Sequence, residues 1–237
     1  MIPRVLEPEV MNDPLQVDAY AAADFNVSDQ AVVDRIEQLL AVDGVHFRQQ
    51  ACLVDLGCGP GNISLRLAKR WTDCCVLGVD AAERMLRVAE ARRRDAGVMT
   101  ERLRYQRRAL PLPASSLEAD LVVSNSLLHH LHDPMHLWSS VKSLASSRCL
   151  VLHRDLKRPD SEASIDGLCQ QHVANAPEVL QRDYRASLRA AFTAAEVKAQ
   201  LAVAGLPQLQ VMEVEDRYLE VSGWITGCQA GVDQRSP

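Results

Sequence analysis

The stretch Val54-Asp55-Leu56-Gly57-Cys58-Gly59-Pro60-Gly61-Asn62 decides the fold. Before it, Ala51 to Leu56 is an apolar run of strand length, and from Ile63 onward apolar residues recur at helical spacing. Three glycines in G-x-G-x-G spacing join the two, so the loop turns a strand into a helix. Glycine permits positive φ and lets backbone come within contact distance of a ligand. The helix behind it offers unpaired N–H groups and a partial positive charge to the same spot. A purely local tight turn would also use these glycines, and two acids weigh against that reading. Asp55 sets a carboxylate beside the loop. Cys75-Val76-Leu77-Gly78-Val79-Asp80 then reads as a second buried strand ending in an acid, 80 − 61 = 19 residues after the last glycine. That spacing suits a carboxylate on a ribose hydroxyl in a βαβ unit. A nicotinamide loop reads G-x-G-x-x-G, and here the third glycine comes one residue early, which argues against a nicotinamide dehydrogenase.

Asp55-x-Gly57-x-Gly59-x-Gly61 with Asp80 beyond it resembles the first motif and following acid of class I S-adenosylmethionine-dependent methyltransferases. Asp120-Leu-Val-Val-Ser124-Asn125-Ser126-Leu-Leu-His129-His130-Leu131 resembles the fourth-strand motif of the small-molecule (type 11) branch. Phe192-Thr193-x-x-Glu196 followed by Ala204-Gly205-Leu206 resembles that branch's last helix. The resemblance covers roughly residues 50 to 222, and the three motifs in this order are more specific than any one of them. It implies an α/β fold: a Rossmann-like, seven-stranded, mostly parallel sheet with helices on both faces, the last strand antiparallel. It implies S-adenosyl-L-methionine as cofactor, met by Asp55, Gly57, Cys58, Gly59, Gly61, Asn62, Asp80, Ala81, Met85, Arg108, Ala109 and Asn125. N-terminal helices of such enzymes fold over the cofactor with a tyrosine near the sulfonium, and Tyr20 is the matching residue. One departure stands out. The family carries Gly-Asp-Ala after the third strand, where the aspartate meets the adenine amine. Here the place reads Arg107-Arg108-Ala109, so backbone groups would have to hold the adenine.

With 237 residues, 47% of them hydrophobic, the chain suits one domain with an insertion. Only 4% is aromatic, so the core must be aliphatic. A net charge of −5 argues against a general nucleic-acid binder. The seven cysteines are odd in number, lack a framework spacing and fall partly inside apolar strands, which indicates reduced, buried thiols. No segment has a signal peptide's layout, and no apolar run reaches about 18 residues, so a soluble cytoplasmic protein is expected.

Met1 to Gln16, with three prolines and no period, reads as a loose extension, bounded near residue 18. A short helix is expected from Tyr20, then a second capped by Ser28, carrying Val32, Val33, Ile36, Leu39 and Leu40 on one face and stopping at Gly44. Residues 19–224 form one domain in this reading, with strands near Leu103–Tyr105, Leu121–Val123 and Cys149–Leu152 and a closing hairpin at Leu209–Val214 and Tyr218–Val221. Residues 154–192 break the alternation and read as a helical cap inserted after the fifth strand, with helices near Ser161–Val173 and Pro177–Phe192. Thr193 and Glu196 form a capping box. Residues 225–237 read as a tail.

Three further constellations carry possible chemistry. His129, His130, His132 and His136 are dense, but Pro134 starts a new helix capped by Asp133, so His132 and His136 do not share one helical face as a zinc pair would. No metal is expected. Nine arginines lie between residues 83 and 108 against four acids (Glu83, Glu90, Asp95, Glu101), a local +5 that leaves −10 for the rest of the chain. A solvated helix face accounts for this more economically than nucleic-acid binding. His153-Arg154-Asp155-Leu156-Lys157-Arg158 follows the fifth strand, at the edge where open α/β sheets bind substrates, and reads either as a solvated loop or as a substrate contact.

Two functions fit. One is methyl transfer from S-adenosylmethionine to the O, N or S atom of a small acceptor by in-line displacement, in a monomer or homodimer. There alignment does most of the work, and His129, His130 or Tyr20 serves as catalytic residue. The other is a non-catalytic S-adenosylmethionine or S-adenosylhomocysteine binder that regulates a partner.

Overall fold

The computed structural model of the protein describes residues 2–113 and 117–226. Its strands are β1 (Cys52–Leu56), β2 (Cys75–Asp80), β3 (Leu103–Arg107), β4 (Ala119–Asn125), β5 (Ala145–Leu156), β6 (Gln210–Val214) and β7 (Tyr218–Thr226). The helices are α1 (Pro14–Ala22), α2 (Asn26–Val42), α3 (Asn62–Arg70), α4 (Glu83–Asp95), α5 (Met135–Leu144), α6 (Glu162–His172), α7 (Glu178–Ala190) and α8 (Ala194–Ala204), with a 3-10 turn at Leu128–His130. The sheet runs β3-β2-β1-β4-β5-β7-β6. All pairings are parallel except those of β7 with β5 and β6.

The central strands are apolar throughout because both faces are covered. Successive residues of β1 serve opposite cores: Val54 and Leu56 join Leu137, Trp138, Val141, Val197 and Leu201 from α5 and α8. Leu53 joins Val32, Val33, Ile36, Ile63 and Leu67 from α2 and α3. From β1 the chain winds outward through β2 and β3, then returns to place β4 on β1's other side. The reversal opens a crevice at the C-terminal ends of β1 and β4, the switch point where such sheets take ligands.

Local signals hold in several places. Thr193 and Glu196 form the reciprocal capping box of α8, and Gly205 ends that helix at φ +69°. The helices α6 and α7 occupy the expected insertion. The expected tail starts two residues late, because Ile225 and Thr226 pair with β5 as the end of β7; from residue 227 on it lies outside the described residues, as does Cys228, and the six described cysteines are free thiols.

Other expectations need correction. The first helix starts at Pro14, not Tyr20: the Asp13 side chain accepts from the N–H groups of Leu15 and Gln16, and proline at the first position needs no partner. Ser28 does not cap α2; the helix begins at Asn26, and the Ser28 hydroxyl donates back to the Phe25 carbonyl at 3.0 Å. Residues 2–13 are no loose extension. The Arg4 guanidinium donates to the carbonyls of Ala190 (2.6 Å), His129 (3.0 Å) and Leu131 (2.9 Å) and stacks on Phe192. The largest surprise is β5, which runs to Leu156. His153, Arg154 and Asp155 are buried strand residues, not a solvated loop, because β7 pairs with them along the whole length. Six of the nine arginines of the 84–108 stretch (Arg84, Arg87, Arg94, Arg104, Arg107 and Arg108) are exposed, as a solvated face requires, and the other three are drawn into the fold. Arg93 is buried against Glu90, and Arg102 donates to the Cys74 and Trp71 carbonyls.

Candidate functional site

The loop after β1 holds Gly57, Gly59 and Gly61 at φ of +67°, +52° and +79°. Backbone N–H groups of Gly57 and Cys58 donate to the Val79 carbonyl at 2.8 and 3.0 Å, tying the loop to β2. The three glycines have different reasons. A Cβ on Gly57 would strike the Leu127 side chain, and one on Gly61 would come within 2.9 Å of Ala89 and strike the Tyr105 hydroxyl. A Cβ on Gly59 would meet nothing within 4 Å. Gly59 alone of the three is open because it faces a cavity.

Asp80 closes the loop from β2. One carboxylate oxygen accepts from the Gly59 N–H at 2.8 Å and the other from the Ala82 N–H at 2.7 Å. Burial raises its pKa, and these backbone donors counter part of that rise. Asp55 lies beneath the loop, wholly buried, with Ser64 Oγ donating at 2.6 Å; burial pushes its carboxyl up to about 7. Arg92, one of the arginine-rich stretch, donates to the Pro60 carbonyl at 3.1 Å, to Asn62 Oδ1 and to the Ala21 carbonyl. It therefore fastens the loop to α1.

At the opposite end, the 3-10 turn after β4 presents His129 and His130. Asp155 reaches across from β5: it accepts from the His129 backbone N–H at 3.1 Å and pairs with His129 Nδ1. Burial pulls the His129 pKa down, but the charge and hydrogen bond of Asp155 and the charge of Glu7 outweigh it, leaving it raised; the same pairing holds Asp155 low. His130 has no such partner, and burial with the neighbouring His129 takes it down to about 3. His153 is held neutral, lowered to about 4 by burial, with Nδ1 2.7 Å from Ser124 Oγ. Glu7 enters from the N-terminal segment, its Oε1 3.5 Å from His129 Nε2 and 3.1 Å from His130 Nδ1, with Ser187 Oγ donating at 3.2 Å. Burial raises the Glu7 pKa.

One cavity of about 590 Å³ connects the two ends, a size ordinary for a small-ligand site. Of the residues expected at the cofactor, Asp55, Gly57, Cys58, Gly59, Asn62, Asp80, Ala81, Met85, Arg108, Ala109 and Asn125 line it, and Gly61 does not. Tyr20, His129 and His130 line it too. Burial lifts the Tyr20 hydroxyl well above its ordinary pKa, which keeps it protonated. Val173, Pro177, Leu180 and Tyr184 of the cap form the far wall, and Val10 and Met11 of the N-terminal segment part of the near one. The sequence gives no signal for Glu7 or Asp29: one lies in an aperiodic segment, and the other shows its role only through Asn62, whose amide donates to it at 2.9 Å.

Residues 53–146 match a family described as a methyltransferase domain. The chain is 30% identical over 202 residues to the malonyl-[acyl-carrier protein] O-methyltransferase of Geobacter sulfurreducens, an alignment covering 84% of this chain and 68% of that one. The chain belongs to the class I S-adenosylmethionine-dependent methyltransferases. This family takes S-adenosylmethionine as its methyl donor. Within it, the chain is 40% identical over 85 residues to the trans-aconitate 2-methyltransferase of Mycolicibacterium gilvum, 36% of this chain and 30% of that one. It is 35% identical over 133 residues to the Methylobacterium nodulans enzyme of that name, 56% and 47%. The chain thus matches between about a third and a half of the length of those two relatives. A methyltransferase fold also appears in solved structures that resemble it. The plantazolicin methyltransferase BpumL, with a desmethyl analog and S-adenosylhomocysteine, gives a TM-score of 0.70 at 12% identity, covering 91% of each chain. A methyltransferase from Aquifex aeolicus gives 0.63 at 16% identity, covering 91% of this chain and 100% of that one. Among the described residues, no helix is long and apolar enough to cross a membrane.

Proposed function

We propose that this protein transfers a methyl group from S-adenosylmethionine to a small-molecule acceptor held beneath the helical cap, acting in the cytoplasm without nucleic acid. The observation that carries the reading is the single cavity. It runs from an open glycine and a pinned carboxylate at one end to the histidine turn and a wall formed by Val173, Pro177, Leu180 and Tyr184 at the other. When bound, S-adenosylmethionine supplies a methyl group already activated on a sulfonium.

The residues present fit that cofactor. Gly59 leaves the space that a close ligand needs, and Asp80 keeps lone pairs for the ribose hydroxyls while two backbone N–H groups fix its carboxylate. Asn125, at the end of β4, lines the cavity and would meet the methionine end. Arg108 and Ala109 line the cavity where the family carries an aspartate, and backbone groups there would meet the adenine. The chain's own contribution is alignment: cap, turn and N-terminal segment exclude water and hold acceptor and donor in line, worth roughly 7–11 kcal/mol. The relatives named for trans-aconitate and the malonyl group place organic acids first among acceptors to try.

Calorimetric titration with S-adenosylmethionine, S-adenosylhomocysteine and NADH tests the binding half. A screen of metabolites with labelled methyl donor tests the transfer. Binding of the first two ligands and label in a small molecule are expected. Binding without any transfer would favour a regulatory binder, and failure to bind S-adenosylmethionine would overturn the reading. In the same screen Leu180→Trp, which fills the cap side, should keep cofactor affinity and lose turnover at least tenfold.

A further inference from the structure

Three buried acceptor atoms converge at the histidine end of the cavity: Glu7 Oε1, His129 Nε2 and His130 Nδ1 lie within 4.8 Å of one another. Two of the separations, 3.5 and 3.1 Å, are the edges expected between ligands that share an ion at about 2.1 Å. Their surroundings fix which nitrogens carry lone pairs. Asp155 pairs with His129 Nδ1, which leaves Nε2 facing Glu7 as the nitrogen free to ligate. His130 has a hydrogen bond to the Pro8 backbone and none at Nδ1, so Nε2–H makes that bond and the Nδ1 lone pair is left buried without a partner. An unpartnered buried acceptor beside a carboxylate oxygen is costly. A single proton can serve only one pair of these atoms, whereas a cation serves all three at once.

We propose that Glu7, His129 and His130 bind a divalent first-row transition-metal ion, zinc being the ion that best suits two imidazoles and one carboxylate. The donor set is the one such ions favour. Asp155 behind His129 is the outer carboxylate that orients a ligating imidazole and raises its basicity. His132 and His136 do not share one helical face; the third donor is instead Glu7, more than 120 positions away from the histidine turn. The ion would tie residues 2–13 to the turn after β4. His129 and His130 both line the cavity, which puts the ion where it can polarise an acceptor's heteroatom. The proposal does not depend on the methyl-transfer reading, because metal uptake is measured without cofactor or acceptor.

The test uses the full chain, stripped with chelator and dialysed. Zinc is titrated calorimetrically and cobalt(II) followed by its visible absorption, which reports coordination number and nitrogen ligation. One equivalent is expected, with affinity at least tenfold weaker in Glu7→Gln and in His130→Ala and unchanged in His132→Ala. Glu7→Gln keeps the shape and the Ser187 hydrogen bond, and its melting curve and S-adenosylmethionine affinity check that it folds. Zinc should raise the melting temperature of the wild type more than that of either variant. Absence of stoichiometric uptake, which leaves a shared proton as the occupant, would overturn the proposal. So would uptake that survives both substitutions, as zinc on the exposed thiol of Cys75 would.

Discussion

The two ends of the cavity are built by opposite means. The glycine-loop end is one nearly unbroken stretch, residues 55 to 85, and its backbone sets the shape: three positive-φ glycines, N–H groups on the Val79 carbonyl and on Asp80. The histidine end is made of side chains brought from residues 7, 129, 130, 155 and 187, with hardly a local contact among them. The first end draws its order from chain geometry and is rebuilt wherever that sequence occurs. The second draws it from buried charges that hold only while every partner is present. Substitutions at the ligand-facing loop-end positions Gly59 and Asp80 should therefore change ligand affinity, and substitutions at the histidine end should change stability first.

Gly59→Val gives the sharpest test. The side chain would enter the ligand's space, so S-adenosylmethionine binding should vanish in calorimetry, while the strain of a branched residue at positive φ costs about 1–3 kcal/mol of stability. Gly61→Ala should do the reverse, losing stability through the contacts with Tyr105 and Ala89. Equal affinity in Gly59→Val and wild type would break the comparison. Next in size is Asp155→Ala. It strips a buried imidazole of its partner, and urea unfolding should report a loss of about 3–5 kcal/mol with cofactor affinity kept in the folded fraction. A loss under about 1 kcal/mol would mean that the histidine end is not held by charge.

Asp80→Ala should weaken S-adenosylmethionine binding by about 1–3 kcal/mol, the loss of a charged acceptor for two hydroxyls. Unchanged affinity would remove Asp80 from the ribose. The mildest effect is a pH slope. The Asp55 carboxyl keeps its proton to about pH 7 in the folded chain, because burial outweighs the Ser64 hydrogen bonds, and releases it near its ordinary value when unfolded. Between those values the folded chain binds more protons, so this group's contribution is full in acid and is lost as pH rises from about 4 to about 7. The slope is at most about 1.4 kcal/mol per pH unit. Stability of wild type minus that of Asp55→Asn, followed across that window, should fall with pH; a flat or rising difference would show the carboxyl ionised in the fold.

Much was legible beforehand. Strand β2 coincides with Cys75–Asp80, since a buried strand between two loops announces both ends through composition. The capping box and the two cap helices were equally plain, because caps and prolines act on neighbours in the chain. Gly59 and Gly61 were not separable: both need positive φ, and only the positions of Tyr105 and Ala89 show that one is packed and the other open. The length of β5 was hidden for a similar reason. His153-Arg154-Asp155 is polar enough for a surface loop, and it is the pairing with β7, some 65 residues onward, that buries it.

By itself the sequence determined what adjacent residues can settle: a strand that turns into a helix through glycines, an acid at the end of the next strand, and a doubly covered sheet of apolar strands. These depend on φ, hydrogen bonds and periodicity over a few residues, and such terms need no distant partner. Only the tertiary structure decided the histidine end. Whether Glu7 is a solvated acid in a proline-rich arm or a buried partner of His129 and His130 depends on desolvation and on charges far away in the chain, and those exist only once the chain has closed around them.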